Sequence, residues 1–283
     1  EAPLRDEALA AGFADAAVVD GGVAFRGGWP EVWRANLELR GATRVLARLW
    51  SFRAAHLAQL DKRARKLAWA EVLRPDVPVT VEATCRRSRI YHAGAAAQRV
   101  ATAITEELGA PIADNAPVRI MVRIEDDLVT VSVDTTGESL HKRGFKEAVS
   151  KAPMRETMAA MFLRQCGYTG DEPVLDPMCG SGTFVIEAAE IALSLKPGRE
   201  RSFAFEQLRT FEPQAWTSLR AAEPVQSTEL RFFGSDRDAG AIRMSSENAT
   251  RAGVGEVTSF DTRGIDTLQR PEGPAGLVIV NPP

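Results

Sequence analysis

The segment that most restricts what this chain can fold into is Asp176-Pro177-Met178-Cys179-Gly180-Ser181-Gly182-Thr183. It separates a short apolar run, Pro173-Val174-Leu175, from a stretch between Thr183 and Leu195 that is apolar nearly all round. A buried strand that turns through glycines into a buried helix is the opening unit of a doubly wound α/β sheet. Glycines at such a turn let backbone amides approach a ligand where any Cβ would collide, and the helix N-terminus is electropositive. The spacing is not G-x-G-x-x-G and no Gly-Lys-Ser/Thr follows, which excludes the dinucleotide fingerprint and the P-loop.

The rest of the back half keeps the same alternation. Leu230 to Phe233, Val257 to Phe260 and Gly276 to Val280 read as strands, and Asp238 to Ala252 reads as a helix stopped by Gly253. Between Lys196 and Glu229 lies an insertion holding Phe203, Phe205, Phe211 and Trp216, which reads as a core of its own or as a base-stacking surface.

Acidic residues fall where this architecture places ligand contacts. Asp176, at a strand end, suits a ligand whose nearest group is cationic, such as the amino group of S-adenosylmethionine, and would repel a pyrophosphate; the plainer reading is a cap on the turn. Asp236, in Gly234-Ser235-Asp236-Arg237-Asp238, can accept hydrogen bonds from both hydroxyls of an adenosyl ribose or cap the helix that follows. Its distance from the glycine loop exceeds the roughly 20 residues of the dinucleotide pattern, and the insertion accounts for the excess. Asp261 offers an acceptor to an adenine amine or sits in an ordinary turn.

Asn281-Pro282-Pro283, after the apolar run ending at Val280, points to a reaction class. Methylating a planar exocyclic amine requires its lone pair to leave conjugation. The Asn281 amide oxygen and the Pro282 carbonyl can accept the two N–H bonds and steer that lone pair toward a methyl sulfonium, with the proline ring fixing the backbone. Cys179 as a nucleophile is disfavoured by its place inside the glycine loop. His56, His92 and His141, like Cys85, Cys166 and Cys179, have no spacing for a metal, so no metal is expected; the cysteines read as reduced cytoplasmic thiols.

The front half reads as α+β: a strand at Gly22 to Phe25, a helix from Pro30, a strand at Val45 to Trp50 and an amphipathic helix from Leu57 to Trp69. A strand at Val77 to Thr84, a helix at Ala93 to Leu108 and a strand pair at Val118 to Val122 and Leu128 to Val133 follow. The polar, basic stretch from Thr135 to Lys146 reads as the connector, followed by a helix from Met154 to Cys166. Net charge is −3, but it is unevenly spread. Lys and Arg outnumber Asp and Glu 14 to 5 from Arg34 to Ile104, and are outnumbered 11 to 17 from Gln165 to Pro283. A basic front and an acidic back suggest that one part attracts a polyanion, although a merely solvated surface explains the same counts. Arg86, Arg87 and Arg89, with Tyr91 able to stack on a base, are candidate RNA contacts or simply a solvated edge. The longest apolar runs are too short for a membrane span, and nothing marks the chain for export.

Taken together, these residues resemble the THUMP-containing class I RNA methyltransferases, in particular the bacterial large-subunit rRNA guanine-N2 methyltransferases. The marks are Leu140-His141-Lys142-Arg143-Gly144-Phe145, Ala152-Pro153-Met154-Arg155-Glu156-Thr157, the Asp176 to Thr183 loop, Asp236 and Asn281-Pro282-Pro283, in that order. The resemblance implies a ferredoxin-like segment plus THUMP RNA-binding domain at 1–136, a linker at 137–152 and a Rossmann-like methyltransferase domain at 153–283. It further implies S-adenosylmethionine held by Asp176, Pro177, Met178, Cys179, Gly180, Gly182, Thr183, Asp236 and Asp261, and a target amine held by Asn281, Pro282 and Pro283. RNA, in particular large-subunit rRNA, is the expected partner, with Lys142 and Arg143 joining Arg86, Arg87, Arg89 and Tyr91 in holding it; oligomeric state is left open. The chain has no initiator Met and stops before the aromatic residue that normally continues the last motif, with fewer strands than such a sheet normally has. It is therefore expected to be part of a longer protein, with the edge of its last strand apolar and unpaired. Methylation of DNA adenine N6 or of a protein glutamine, and an inactive RNA-binding assembly factor, are the competing readings.

Overall fold

The computed structural model describes residues 1–146, 154–221 and 227–282. In chain order the front half comprises α1 (Ala2–Ala10), β1 (Ala17–Val19), β2 (Gly22–Ala24), α2 (Trp29–Glu38), β3 (Leu46–Arg53), α3 (Leu57–Ala64), α4 (Trp69–Val72), β4 (Val79–Arg86), α5 (Ala93–Leu108), β5 (Val118–Glu125) and β6 (Leu128–Asp134). The back half comprises α6 (Glu156–Gln165), β7 (Val174–Asp176), α7 (Thr183–Ala192), α8 (Pro213–Ala221), β8 (Phe232–Asp236), α9 (Ala239–Arg251), β9 (Thr258–Thr262) and β10 (Leu277–Val278).

Strict alternation builds the front sheet, ordered β3-β6-β5-β4. Ile120, Val122 and Ile124 of β5 and Val129, Val131 and Val133 of β6 are buried on one face. Asp126 and Asp127 join the two strands as a two-residue turn with φ of 50° and 61°, a backbone twist that suits a hairpin. Helices α3 and α5 contribute Leu60, Ala64, Val100 and Ile104 to the same core. The other face of the sheet carries Arg53, Arg86, Arg119 and Arg123. The helix expected over Leu57 to Trp69 breaks after Ala64. The Trp69 indole donates to the Ala64 carbonyl (2.8 Å) and packs edge-on against Trp50, a burial that a straight continuation of the exposed Lys62-Arg63 turn would not give.

The back sheet is parallel, ordered β10-β7-β8-β9, with α6 packed on α7. Chain order reverses between β10 and β7, and ligands of open α/β sheets bind at the carboxyl ends of strands beside such a reversal. Among the described residues β10 lies at the sheet edge, paired with β7 alone, and leaves Val278 and Val280 exposed.

The two halves are interlocked. Phe203, Phe205, Phe211 and Trp216 form neither a separate core nor a stacking surface; they complete the front half's core. Trp33 lies 6.1 Å from Phe205, which stacks on Phe203 (5.2 Å, 10°) and meets Trp216 edge-on (5.0 Å, 85°). Backbone bonds from Gly198 to Leu37, Phe205 to Thr135 and Arg209 to Val72 pin the insertion along its length. The connector is packed as well: Thr135 and Thr136 are buried against Asn36, and Leu140, Arg143 and Phe145 are buried further on. Residues 147–152 of the expected linker lie outside the described residues.

Candidate functional site

Asp176 ends β7 with its carboxyl only 3% exposed. One oxygen accepts the Met178 amide (3.0 Å), and no ion pair reaches it among the described residues. Burial, against the pull of the Met178 amide and helped by the charge of Asp236, pushes the carboxyl up to about 7. The chain then turns through Gly180 (φ +54°) and Gly182 (φ +81°) into α7. A Cβ at Gly182 would sit 3.0 Å from the Ser245 Cβ and 3.2 Å from the Phe260 ring, so a side chain here would be crowded as well as strained by the positive φ.

The loop is stitched to the end of β8. The Cys179 amide donates to the Ser235 carbonyl (2.9 Å) and the Gly180 amide to Asp236 Oδ2 (3.0 Å), while Asp236 Oδ1 accepts from Asp238 N (3.0 Å). Each Asp236 oxygen keeps a further lone pair, enough for two hydroxyl donors. The Ser245 hydroxyl lies within 2.7 Å of the Gly180 carbonyl, and the Asn248 amide 3.3 Å from that of Ser181, so α9 braces the loop from below. Cys179 is buried 3.9 Å from the Ser245 hydroxyl, and burial with the Asp176 charge pushes its thiol up to about 12. Such a thiol is inert as a nucleophile.

Asp261 is exposed within β9, level with Ser235, rather than in the turn beyond it. Asn281 and Pro282 are exposed just beyond β10, whose Ile279 amide donates to the Leu175 carbonyl (3.0 Å) and keeps the strand in step with β7. Pro283 lies outside the described residues. Asp176, Asp236 and Asp261 thus sit at the carboxyl ends of three adjacent parallel strands, and Asn281 follows the fourth, across the reversal point.

The basic residues divide. Arg86, Arg87 and Arg123 join Arg53 around a cleft of about 480 Å³ on the front sheet, which Asp20, Glu125 and Asp126 also line. Arg87 is pinned by Glu125 (2.7 Å) and Asp126 (3.1 Å), whereas among the described residues the guanidinium groups of Arg86 and Arg89 approach carboxylates no closer than 3.6 Å. Tyr91 is 85% exposed. Lys142 is exposed and paired with Glu138 (2.7 Å). Arg143 must be withdrawn as an RNA contact. It is 1% exposed, donates to the Leu140 and Arg40 carbonyls (both 2.9 Å) and lies 3.4 Å from Glu187 on α7. Arg53 and Arg123 went unnoticed in the sequence, although each falls on the exposed phase of a strand's alternation. So did Lys146, whose ammonium donates to the Thr183 hydroxyl (2.9 Å).

An open parallel sheet with a glycine turn after its first strand and acids at the next strand ends defines a Rossmann-like methyltransferase domain, here joined to a basic α+β front. Comparison with known proteins makes this specific. Residues 143–283 match the RMKL-like methyltransferase domain, residues 1–46 the RlmL ferredoxin-like domain and residues 54–134 the THUMP domain. The chain is 32% identical, over 99% of its length, to the ribosomal RNA large subunit methyltransferase K/L of Vibrio campbellii, and 34% identical to that of Aliivibrio salmonicida. It spans 42% of each, less than half the length of these curated relatives. Among solved structures, a Listeria monocytogenes protein described as a predicted N6-adenine-specific DNA methylase superposes with a TM-score of 0.88 at 31% identity, covering 100% of this chain and 77% of that one. SMU.472, solved complexed with SAH, superposes with a TM-score of 0.86 at 26% identity and the same coverage. The chain belongs to the THUMP-containing, RMKL-like methyltransferase family.

Proposed function

We propose that this chain binds S-adenosylmethionine at the Asp176 to Thr183 loop and directs methyl transfer to an exocyclic base amine of RNA, guanine N2 of large-subunit rRNA being the favoured target. The observation that carries this reading is the Asp176 carboxyl: buried beside Asp236, with no cation to meet it, it is relieved by a ligand that brings a positive group. The ammonium of S-adenosylmethionine is such a group, and the neighbour solved with SAH supports the same choice. Asp236, with lone pairs to spare, suits the ribose, and Asp261, one strand further out, suits the adenine amine.

In this reading the donor supplies the methyl group, and the protein supplies position. Asn281 and Pro282 accept the two N–H bonds of the target amine, which turns its lone pair out of the ring plane, and the proton leaves to solvent after transfer. Residues 1–136 grip RNA through the arginine-lined cleft, Arg89 and Tyr91, and residues 153–283 carry the reaction, with 137–152 between them. The rRNA enzymes named among the relatives favour RNA over the DNA suggested by the Listeria protein's description, as does the basic sheet face.

The test is transfer from labelled S-adenosylmethionine to unmodified large-subunit rRNA and, separately, to genomic DNA, by the chain in its full-length parent, with nucleosides resolved by mass spectrometry. Label in N2-methylguanosine that disappears in Asn281→Ala is expected. Label in N6-methyladenine instead would overturn the target, and failure to retain the donor would overturn the whole reading.

A further inference from the structure

The amino-acid end of S-adenosylmethionine is a zwitterion, and Asp176 answers only its ammonium. We propose that Lys146 is a positioning residue that turns Thr183 into a hydrogen-bond donor for the carboxylate of that same group. The inference rests on the donor reading above and goes beyond it by dividing the recognition of the two charges between two residues.

The Lys146 ammonium donates to the Thr183 hydroxyl (2.9 Å) and to the Met154 carbonyl (3.1 Å), and lies 3.2 Å from the Glu156 carboxylate. Its side chain is 9% exposed and that of Glu156 6%. An ammonium has three protons and no lone pair, so these three acceptors use it fully. Lys146 therefore keeps no donor for a ligand and acts through its neighbour.

Thr183 can only accept in this bond, which leaves its own proton free, and no acceptor takes that proton among the described residues. Donation from a cation makes a hydroxyl a stronger donor in turn. Thr183 is the first residue of α7, directly after Gly182, where unpaired backbone amides and the helix dipole favour negative charge. A polarised O–H beside the first amides of a helix fits a carboxylate, whereas an ammonium placed there would face the Lys146 charge and the positive end of the helix dipole. Glu156 holds Lys146 in this position from the first turn of α6.

Calorimetric titration of the full chain with S-adenosylmethionine and with decarboxylated S-adenosylmethionine tests this. Lys146→Met and Thr183→Val are expected to weaken the complete donor about tenfold or more, the range for a lost hydrogen bond to a charged group. Both should leave the decarboxylated donor unchanged, so that the preference for the carboxylate collapses, while Lys146→Arg and Thr183→Ser retain it. Thr183→Val, nearly isosteric, carries the test should Lys146→Met unfold. Equal weakening of both ligands would make Lys146 a purely structural clamp and overturn the proposal. Binding of neither ligand by the folded wild-type chain would instead overturn the donor reading, and this inference with it.

Discussion

Helix α7 has buried charge on both sides, handled in opposite ways. Along its length, Glu187 and Glu190 meet three guanidinium groups: Arg40 at 2.8 Å and 3.6 Å, Arg143 at 3.4 Å and Arg199 at 2.5 Å. Those arginines come from the end of α2, the connector and the insertion, and the Arg40 backbone is held in turn by Glu7 of α1 (2.6 Å). Ahead of the helix, Asp176 and Asp236 meet only backbone amides among the described residues. Burying a charge is costly, so matched charges mark places where segments are held together, and unmatched ones mark places kept for something that arrives. One helix therefore fastens the front half at its flank and has beside its tip the unmatched carboxylates of the proposed donor site.

Breaking the matched side should have the largest effect. Glu187→Gln leaves Arg143 without a carboxylate and Arg40 with Glu190 alone, and is expected to cost about 3–5 kcal/mol in denaturant unfolding. Glu187→Leu combined with Arg143→Met should recover much of that loss, and a loss below about 1 kcal/mol for the single change would dissolve the contrast. On the unmatched side the sign reverses. Asp176→Asn should leave thermal stability unchanged or higher, because a desolvated carboxyl is gone, while calorimetry finds S-adenosylmethionine bound about tenfold more weakly or worse.

A smaller, graded effect follows from titration. The carboxyl is held near 7, and the ammonium of the donor favours its ionised form, so binding releases a proton below that pH. Affinity should fall about tenfold for each pH unit just below about 7, and Asp176→Asn should flatten that limb of the profile. In the free chain the linkage runs the other way. A carboxyl raised from 3.8 contributes stability at low pH that is lost as pH rises through about 7, so unfolding midpoints of wild type and Asp176→Asn should converge in acid. Smallest of all, Arg53→Ala and Arg123→Ala should each reduce the salt slope of RNA binding by about one and leave donor affinity untouched.

Much of this was legible where local chemistry decides. Helix α5 has the bounds its apolar spacing and Gly109 predict, α9 starts at its Asp238 cap, and the Asp126-Asp127 turn closes the hairpin that the alternation requires. The strand ends that carry Asp176 and Asp236 follow from short apolar runs meeting glycines. What escaped depends on distant partners. Arg143 sits in a basic run that reads as surface, and its burial depends on Glu187 and the Arg40 carbonyl, both far away in sequence. The insertion's aromatics look self-sufficient until Trp33 and Leu37 are seen to need them. Lys146 gives no periodic signal, because its partners are a hydroxyl on α7 and the start of α6.

That insertion also changes what counts as a module. A ribosome completes the front sheet at Asp134, yet part of the hydrophobic core of that half is delivered only after the first βα unit of the other half has been made. Until then the site awaiting Phe205 and Trp216 is an apolar surface open to water. Cut or transplanted at residue 136, the front half would travel without part of its own interior. A functional graft has to bring the 196–221 stretch with it.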